Sequence, residues 1–289
     1  MQLSPSQPVL NDDGPATCSS RLCAIPSTSS SSQFADLHNN GLQILHAIPN
    51  GAVQVARVSL STTTTGAATG VSAEIMSTMS MQDDDTLPIQ SVAASKTKFA
   101  VVNERGKVFF GACQSIQHKS ADEAGVVVKL NRANLGIYSD CEAGFSNLCF
   151  NSLEQCLSTR LMQRESLLLV DGDVPPQTRF EHELAAMACT AFGENTWVVA
   201  EWGDLTVWDT RAAEGKGLVT RMLSNRFGNG DCFYSVATID DSIVVGGASR
   251  MACRVDAKKW VGVFSLHFTS VPFLLTFHSP WTLHALPRL

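Results

Sequence analysis

The chain carries no Cys-x-x-Cys pair, no Asn-x-Ser/Thr sequon, no Gly-x-Ser-x-Gly elbow, no Gly-x-Gly-x-x-Gly and no P-loop. The missing elbow speaks against a serine hydrolase of the α/β type, and the missing glycine motifs speak against a dinucleotide or nucleotide phosphate cradle. Basic residues are also in deficit: 21 Lys and Arg stand against 27 Asp and Glu, a formal charge of -6. A general nucleic-acid binder needs the opposite balance. The N-terminal residues have neither a basic region nor an apolar core, so no secretory signal is expected there.

Cysteine is not scarce, but its pattern is uninformative for metal or disulfide chemistry. Cys18, Cys23, Cys113, Cys141, Cys149, Cys156, Cys189, Cys232 and Cys253 are odd in number and irregularly spaced. In a chain of 289 residues this reads as reduced, mostly buried thiols of an intracellular protein of the cytoplasm or nucleus.

What the chain does have is a repeated strand grammar. Thr196 to Glu201 is apolar and β-branched, Gly203-Asp204 breaks it, and Leu205 to Asp209 alternates again. The same pair recurs as Ser242 to Gly247 with Met251 to Asp256, as Lys98 to Asn103 with Lys107 to Cys113, and more weakly as Gln155 to Arg160 with Ser166 to Asp171. A short apolar strand precedes each pair: Ile89 to Ala94, Asn147 to Asn151, Met187 to Phe192 and Cys232 to Thr238. A lone hairpin buries too little to be stable, whereas stacked copies share a core. Three strands and a returning fourth, repeated every 40 to 55 residues or so, are the sequence form of a propeller blade.

On these residues the chain resembles the WD40-repeat β-propeller family over roughly residues 87 to 265. Trp208-Asp209 matches the family's dipeptide, and His182 falls where the family usually has its structural histidine. Glu201 and Trp202 depart from the pattern, standing where the family commonly has a hydroxyl residue and a turn aspartate. The order Trp208 to Arg211, Cys232 to Val236, Ile243 to Arg250 is weakly similar to small single-propeller proteins of the mitotic-checkpoint and messenger-RNA-export type. The resemblance implies an all-β fold, with about four to five recognisable blades and therefore an incomplete ring.

Along the chain, residues 1–36 are Ser- and Pro-rich and read as a disordered tail. Residues 37–86 read as a degenerate first blade: two alternating strands around Pro49-Asn-Gly51, then a low-complexity loop from Thr62 to Met81 that ends in Asp83-Asp-Asp85. The blades follow over 87–265, and 266–289 is an apolar C-terminal tail. The run Trp260 to Phe277 admits three readings: a last strand with an unrelated tail, a propeller strand pair, or a tail anchor. The interior His267 and Pro272 favour a soluble chain over a membrane one.

No constellation reads as catalytic or metal-binding. Adjacent residues of Glu181-His182-Glu183 point in different directions, so the triplet builds no site. Asp171-Gly-Asp173 lacks the later ligands of a calcium loop, and Cys141, Cys149 and Cys156 are too widely spaced for a zinc knuckle. Gly246-Gly247 and Gly228-Asn-Gly230 read as turns and close packing, and Asp83-Asp-Asp85 as solvated charge. No cofactor is expected.

The function expected is therefore a non-enzymatic scaffold that binds a protein or acidic peptide, with no nucleic acid and self-association through unpaired blade edges. The alternative is a propeller hydrolase resembling the methylesterase of the diphthamide pathway. The turn between the second and third strand of each repeat carries Arg105, Arg164, Trp202 or Arg250, residue types that anchor interfaces, and these are the candidate partner-binding set. His182, Trp208 and Asp209 are the candidate structural residues.

Overall fold

Short runs rich in Val, Ile, Leu, Ala and aromatics, each closed by Gly, Asn or Asp, produce strands throughout the computed structural model. It describes residues 22–24, 42–48, 52–62, 68–81, 87–113, 128–138, 144, 146–176, 178–212, 217–222, 232–239, 241–248, 251–257 and 261–267. Among these the fold is all-β, and the only helical element is a 3-10 turn at Gly136–Tyr138. No described helix is long and apolar enough to cross a membrane.

The first eight strands are β1 (Leu22–Ala24), β2 (Leu42–Ala47), β3 (Ala52–Thr62), β4 (Ala68–Met81), β5 (Ile89–Ala94), β6 (Lys98–Asn103), β7 (Val108–Ala112) and β8 (Val128–Arg132). They form one sheet in the order β1-β2-β3-β4-β8-β7-β6-β5. All its neighbours are antiparallel except β4 and β8, which run parallel through Met79↔Val128, Ser80↔Lys129 and Met81↔Leu130. Its two ends meet, since β5 packs on β1 and β2, so the sheet is nearly closed around one core. That core holds Leu45, Val53, Val55, Met79, Ile89, Phe99, Val101, Phe109 and Leu130.

Three four-stranded antiparallel sheets follow. The first is β9 (Leu148–Phe150), β10 (Cys156–Arg160), β11 (Glu165–Leu169) and β12 (Thr178–Glu181). The second is β13 (Ala186–Ala191), β14 (Thr196–Glu201), β15 (Asp204–Asp209) and β16 (Leu218–Met222). The third is β17 (Phe233–Ile239), β18 (Ser242–Gly247), β19 (Met251–Asp256) and β20 (Val261–His267).

The leading strand of each sheet packs on the sheet before it: β9 on β5 and β6, β13 on β9 and β10, β17 on β13 and β14. Alternation along the strands then fills a core at each junction. Cys156 faces a core shared with Ala100, Val102 and Leu135, while its neighbour Leu157 faces one shared with Trp197, Val199 and Trp208. Val198 and Ala200 turn the other way, towards Phe233, Ile243 and Val255. Full burial of a side chain such as Val199 stabilises by roughly 1.5–3 kcal/mol. This stack of antiparallel sheets around serial cores is compatible with a propeller-like arrangement.

Two sequence expectations need correction. Residues 68–81 are a 14-residue strand and not a loop. Its Ser, Thr, Val and Ile residues suit a strand, and β3 supplies partners from Ala52↔Ser80 to Thr62↔Ala68. Within the stretch read as a disordered tail, Leu22–Ala24 is a strand, held by pairing with residues 44–46 of β2. At the other end Val261–His267 closes the last sheet on β19. Residues 268–289, Asp83-Asp-Asp85, Gly228-Asn-Gly230 and Arg250 lie outside the described residues. Gly246-Gly247 lies within β18, where a Cβ on Gly247 would sit 2.2 Å from the Cys232 carbonyl oxygen.

Candidate functional site

Antiparallel pairing puts the β6–β7, β10–β11 and β14–β15 turns at one end of their sheets, and the turns leading into β6, β10 and β14 at the other. The second end is stitched by side chains: the Thr97 amide donates to Glu154 Oε1 at 3.0 Å, and Asn151 Nδ2 donates to the Glu194 carbonyl at 2.6 Å. The first end carries most of the polar chemistry, partly buried and partly displayed.

The buried part centres on His182, in the link between β12 and β13. Its Nδ1 lies 2.9 Å from Glu201 Oε1 and its Nε2 lies 2.7 Å from Ser166 Oγ. A carboxylate only accepts, so Nδ1 carries a proton and donates to Glu201, while Nε2 and the Ser166 hydroxyl share the second bond. Thr206 Oγ1 donates to the same Glu201 oxygen and accepts the Trp208 indole N–H at 2.8 Å. Trp208 also sets its ring edge-on to the imidazole, with centroids 4.9 Å apart. Arg221 of β16 donates to the other Glu201 oxygen at 3.0 Å and also pairs with Glu183. Burial on its own would raise the Glu201 carboxyl; the bonds from His182 and Thr206 and the charge of Arg221 outweigh it and hold it below the usual carboxylate range.

Ser166, His182 and Glu201 thus have the connectivity of a hydrolytic triad, but Ser166 and Glu201 are 0% exposed. An ester cannot reach the Ser166 hydroxyl without prising β11 from the next sheet, so in this conformation the relay fastens one sheet to another. The triplet around His182 splays as strand geometry requires: Glu181 is exposed and pairs with Arg179 at 2.8 Å, while Glu183 is exposed and meets Arg221. Asp209 stands apart from the relay, and its pairing with Arg211 at 2.6 Å pulls its carboxyl down.

Three of the four candidate partner-binding residues are described, and all three are exposed at this end. Arg164 and Trp202 occupy left-handed backbone positions, φ 50 and 53. In the β6–β7 turn that position belongs to Gly106 (φ 70), so Arg105 sits one residue earlier than the other two in turn geometry. The Trp202 backbone is fixed on both sides: its amide donates to the Ala185 carbonyl at 2.9 Å, and its carbonyl accepts from Phe233 at 2.6 Å. Arg164 Nη1 donates to the Glu183 carbonyl at 3.3 Å. Sequence reasoning missed two exposed apolar neighbours, Met162 in the Arg164 turn and Leu184 beside Glu183; alternation does not extend into turns.

The other candidates build no site. Asp171-Gly-Asp173 is an exposed turn closed by its own contact, Gly172 N to Asp171 Oδ1 at 2.7 Å. Cys149 and Cys156 face opposite sides of their sheet, and Cys141 lies outside the described residues. No group of three or more His, Cys, Asp or Glu that suits a metal ion occurs among the described residues. In comparisons with known proteins, no family model matches the chain and no characterised protein matches its sequence.

Proposed function

We propose that the chain is a WD40-like propeller scaffold whose turn-bearing end docks an acidic peptide or protein partner. The observation that carries this reading is Trp202. A left-handed turn position favours Gly, Asn or Asp, and a large L-residue there costs about 1 kcal/mol. The Trp202 side chain is 54% exposed, so core burial offers little return for that cost. Its value is what it displays: a rigid aromatic held out from a backbone bonded on both sides.

Met162 (66% exposed) and Leu184 (37% exposed) extend the apolar surface, and the Arg164–Glu183 and Trp202–Ala185 contacts link these residues along one end. Arg105 and Arg164 supply guanidinium groups suited to carboxylates. Panning a random peptide library on the full chain tests the reading. Acidic peptides carrying an apolar anchor should emerge, and Trp202→Ala and the Arg105→Glu/Arg164→Glu pair should each weaken their binding about tenfold or more. Peptides that bind these folded variants as well as the parent, or that lose binding on Leu153→Glu at the opposite end, overturn it.

A further inference from the structure

The sequence scatters its cysteines, but the fold brings two of them together. Cys149 on β9 and Cys189 on β13 belong to different sheets and are 40 residues apart, yet their sulfurs lie 3.2 Å from each other. Both thiols face the core at that junction, Cys189 within it and Cys149 half-buried at its margin. Cys156, the next cysteine along, faces the preceding junction instead. Its strand register is the reason: Leu157 lies opposite Cys149, so Cys156 turns to the other face of the sheet.

We propose that Cys149 and Cys189 are an oxidation site, a dithiol that a peroxide converts to a disulfide linking β9 to β13. A disulfide needs its sulfurs near 2.05 Å, so closing the gap takes a movement of about 1 Å between two strands already packed together. Cys149, at the margin, attacks the peroxide as thiolate; the O–O bond breaks, leaving a sulfenic acid and one hydroxide that takes up the thiol proton as water. Cys189 then attacks the Cys149 sulfur, the S–S bond forms, and the sulfenic oxygen leaves as a second water. Two electrons and two protons pass from the dithiol to the peroxide. Burial, followed by the contact with Cys189, holds the Cys149 thiol well above its ordinary value, so the thiolate is scarce at neutral pH and oxidation accelerates as the pH rises.

The test uses the full reduced chain, treated with hydrogen peroxide at pH 7 and pH 9, with free thiols then blocked under denaturing conditions and the cross-links mapped by mass spectrometry. The expected product is a Cys149–Cys189 disulfide, formed at least tenfold faster at pH 9, abolished by Cys149→Ser and by Cys189→Ser, retained in Cys141→Ser and Cys156→Ser, and reversed by dithiothreitol. Because the bond closes a long loop and joins two sheets, the oxidised chain should melt roughly 5–10 °C higher than the reduced one. A disulfide that persists in Cys149→Ser or needs Cys156, one that forms only in denaturant, or one that leaves the melting temperature unchanged overturns the proposal.

Discussion

Two buried carboxylates in consecutive sheets, Glu165 and Glu201, both flank the turn joining the second and third strands of their sheet, yet they are satisfied in different ways. Glu165 opens β11 and meets a guanidinium on each oxygen, Arg160 at 2.7 Å and Arg179 at 2.5 Å. Arg160 is itself 1% exposed, so two full charges are sealed in together. Glu201 closes β14 and is held by an imidazole, a hydroxyl and one partly exposed guanidinium. The first arrangement stays largely within its own sheet, the cross-strand pair Arg160↔Glu165 with Arg179 of β12 and one bond from Arg160 Nη2 to the Tyr138 carbonyl at 3.2 Å, whereas the second draws on β11, the β12–β13 link, β15 and β16. A short-range ion pair stabilises its own hairpin; a relay that borrows groups from elsewhere ties the sheets together. Loss of one member should therefore be felt locally in the first case and across a junction in the second.

The largest effect is expected from Arg160→Met, which leaves Glu165 buried with its inner partner gone and should cost about 3–5 kcal/mol in denaturant unfolding. The double replacement Arg160→Met/Glu165→Met should recover most of that loss, because both buried charges are then gone and the partly exposed Arg179 keeps its pairing with Glu181. If the single and double variants unfold alike, the pair is not the isolated unit described here.

Glu201→Gln should cost less, about 2 kcal/mol, as charge-assisted bonds from His182 and Arg221 become neutral ones. Its pH signature sharpens the contrast. The folded-state value of Glu201 lies below the ordinary 4.5, so the stability it contributes is present above 4.5 and is lost as the pH falls through the folded-state value. Unfolding measured from pH 6 downward should show a shallower acid loss in Glu201→Gln than in the parent. An identical acid slope in both removes Glu201 from the acid response.

A smaller effect separates two tryptophans that face each other across β14 and β15. The Trp208 indole N–H is bonded to Thr206, whereas the Trp197 indole N–H is buried with no partner among the described residues. Trp208→Phe should cost about 1 kcal/mol more than Trp197→Phe in urea unfolding, since only the first breaks a hydrogen bond. The reverse ranking would mean that packing volume, and not the relay, sets the importance of Trp208. The smallest effect should be a gain: Trp202→Gly relieves the left-handed backbone and should stabilise by about 0.5–1 kcal/mol while weakening peptide capture.

How much of this was legible in the sequence depended on the range of the interaction. Lys98 to Asn103, Thr196 to Glu201 and Ser242 to Gly247 were delimited to the residue, because apolar alternation and turn chemistry are local signals. Residues 68–81 were not, because Ser, Thr and Gly lower the apolar contrast that alternation needs, and the strand is held by pairing along the whole of the 11-residue β3. The partners of His182 were not readable from the sequence. Ser166 comes from the preceding sheet, and Glu201 and Thr206 come from the hairpin that follows His182. The Cys149–Cys189 approach was invisible for the same reason, since spacing along a chain says nothing about which strands of two sheets abut.

The parallel seam between β4 and β8 has a consequence for how the molecule comes apart. It makes the first eight strands one hydrogen-bonded body, so neither half can open without breaking the seam and the core they share. Each later sheet is a separate ladder that leans on its predecessor. Such a chain has graded cooperativity: a large indivisible block at one end, followed by units whose persistence depends on the neighbour before them. Under mild denaturant, amide exchange should therefore advance inward from β17–β20, with β13–β16 following and the amides of β3 and β6 the last to open.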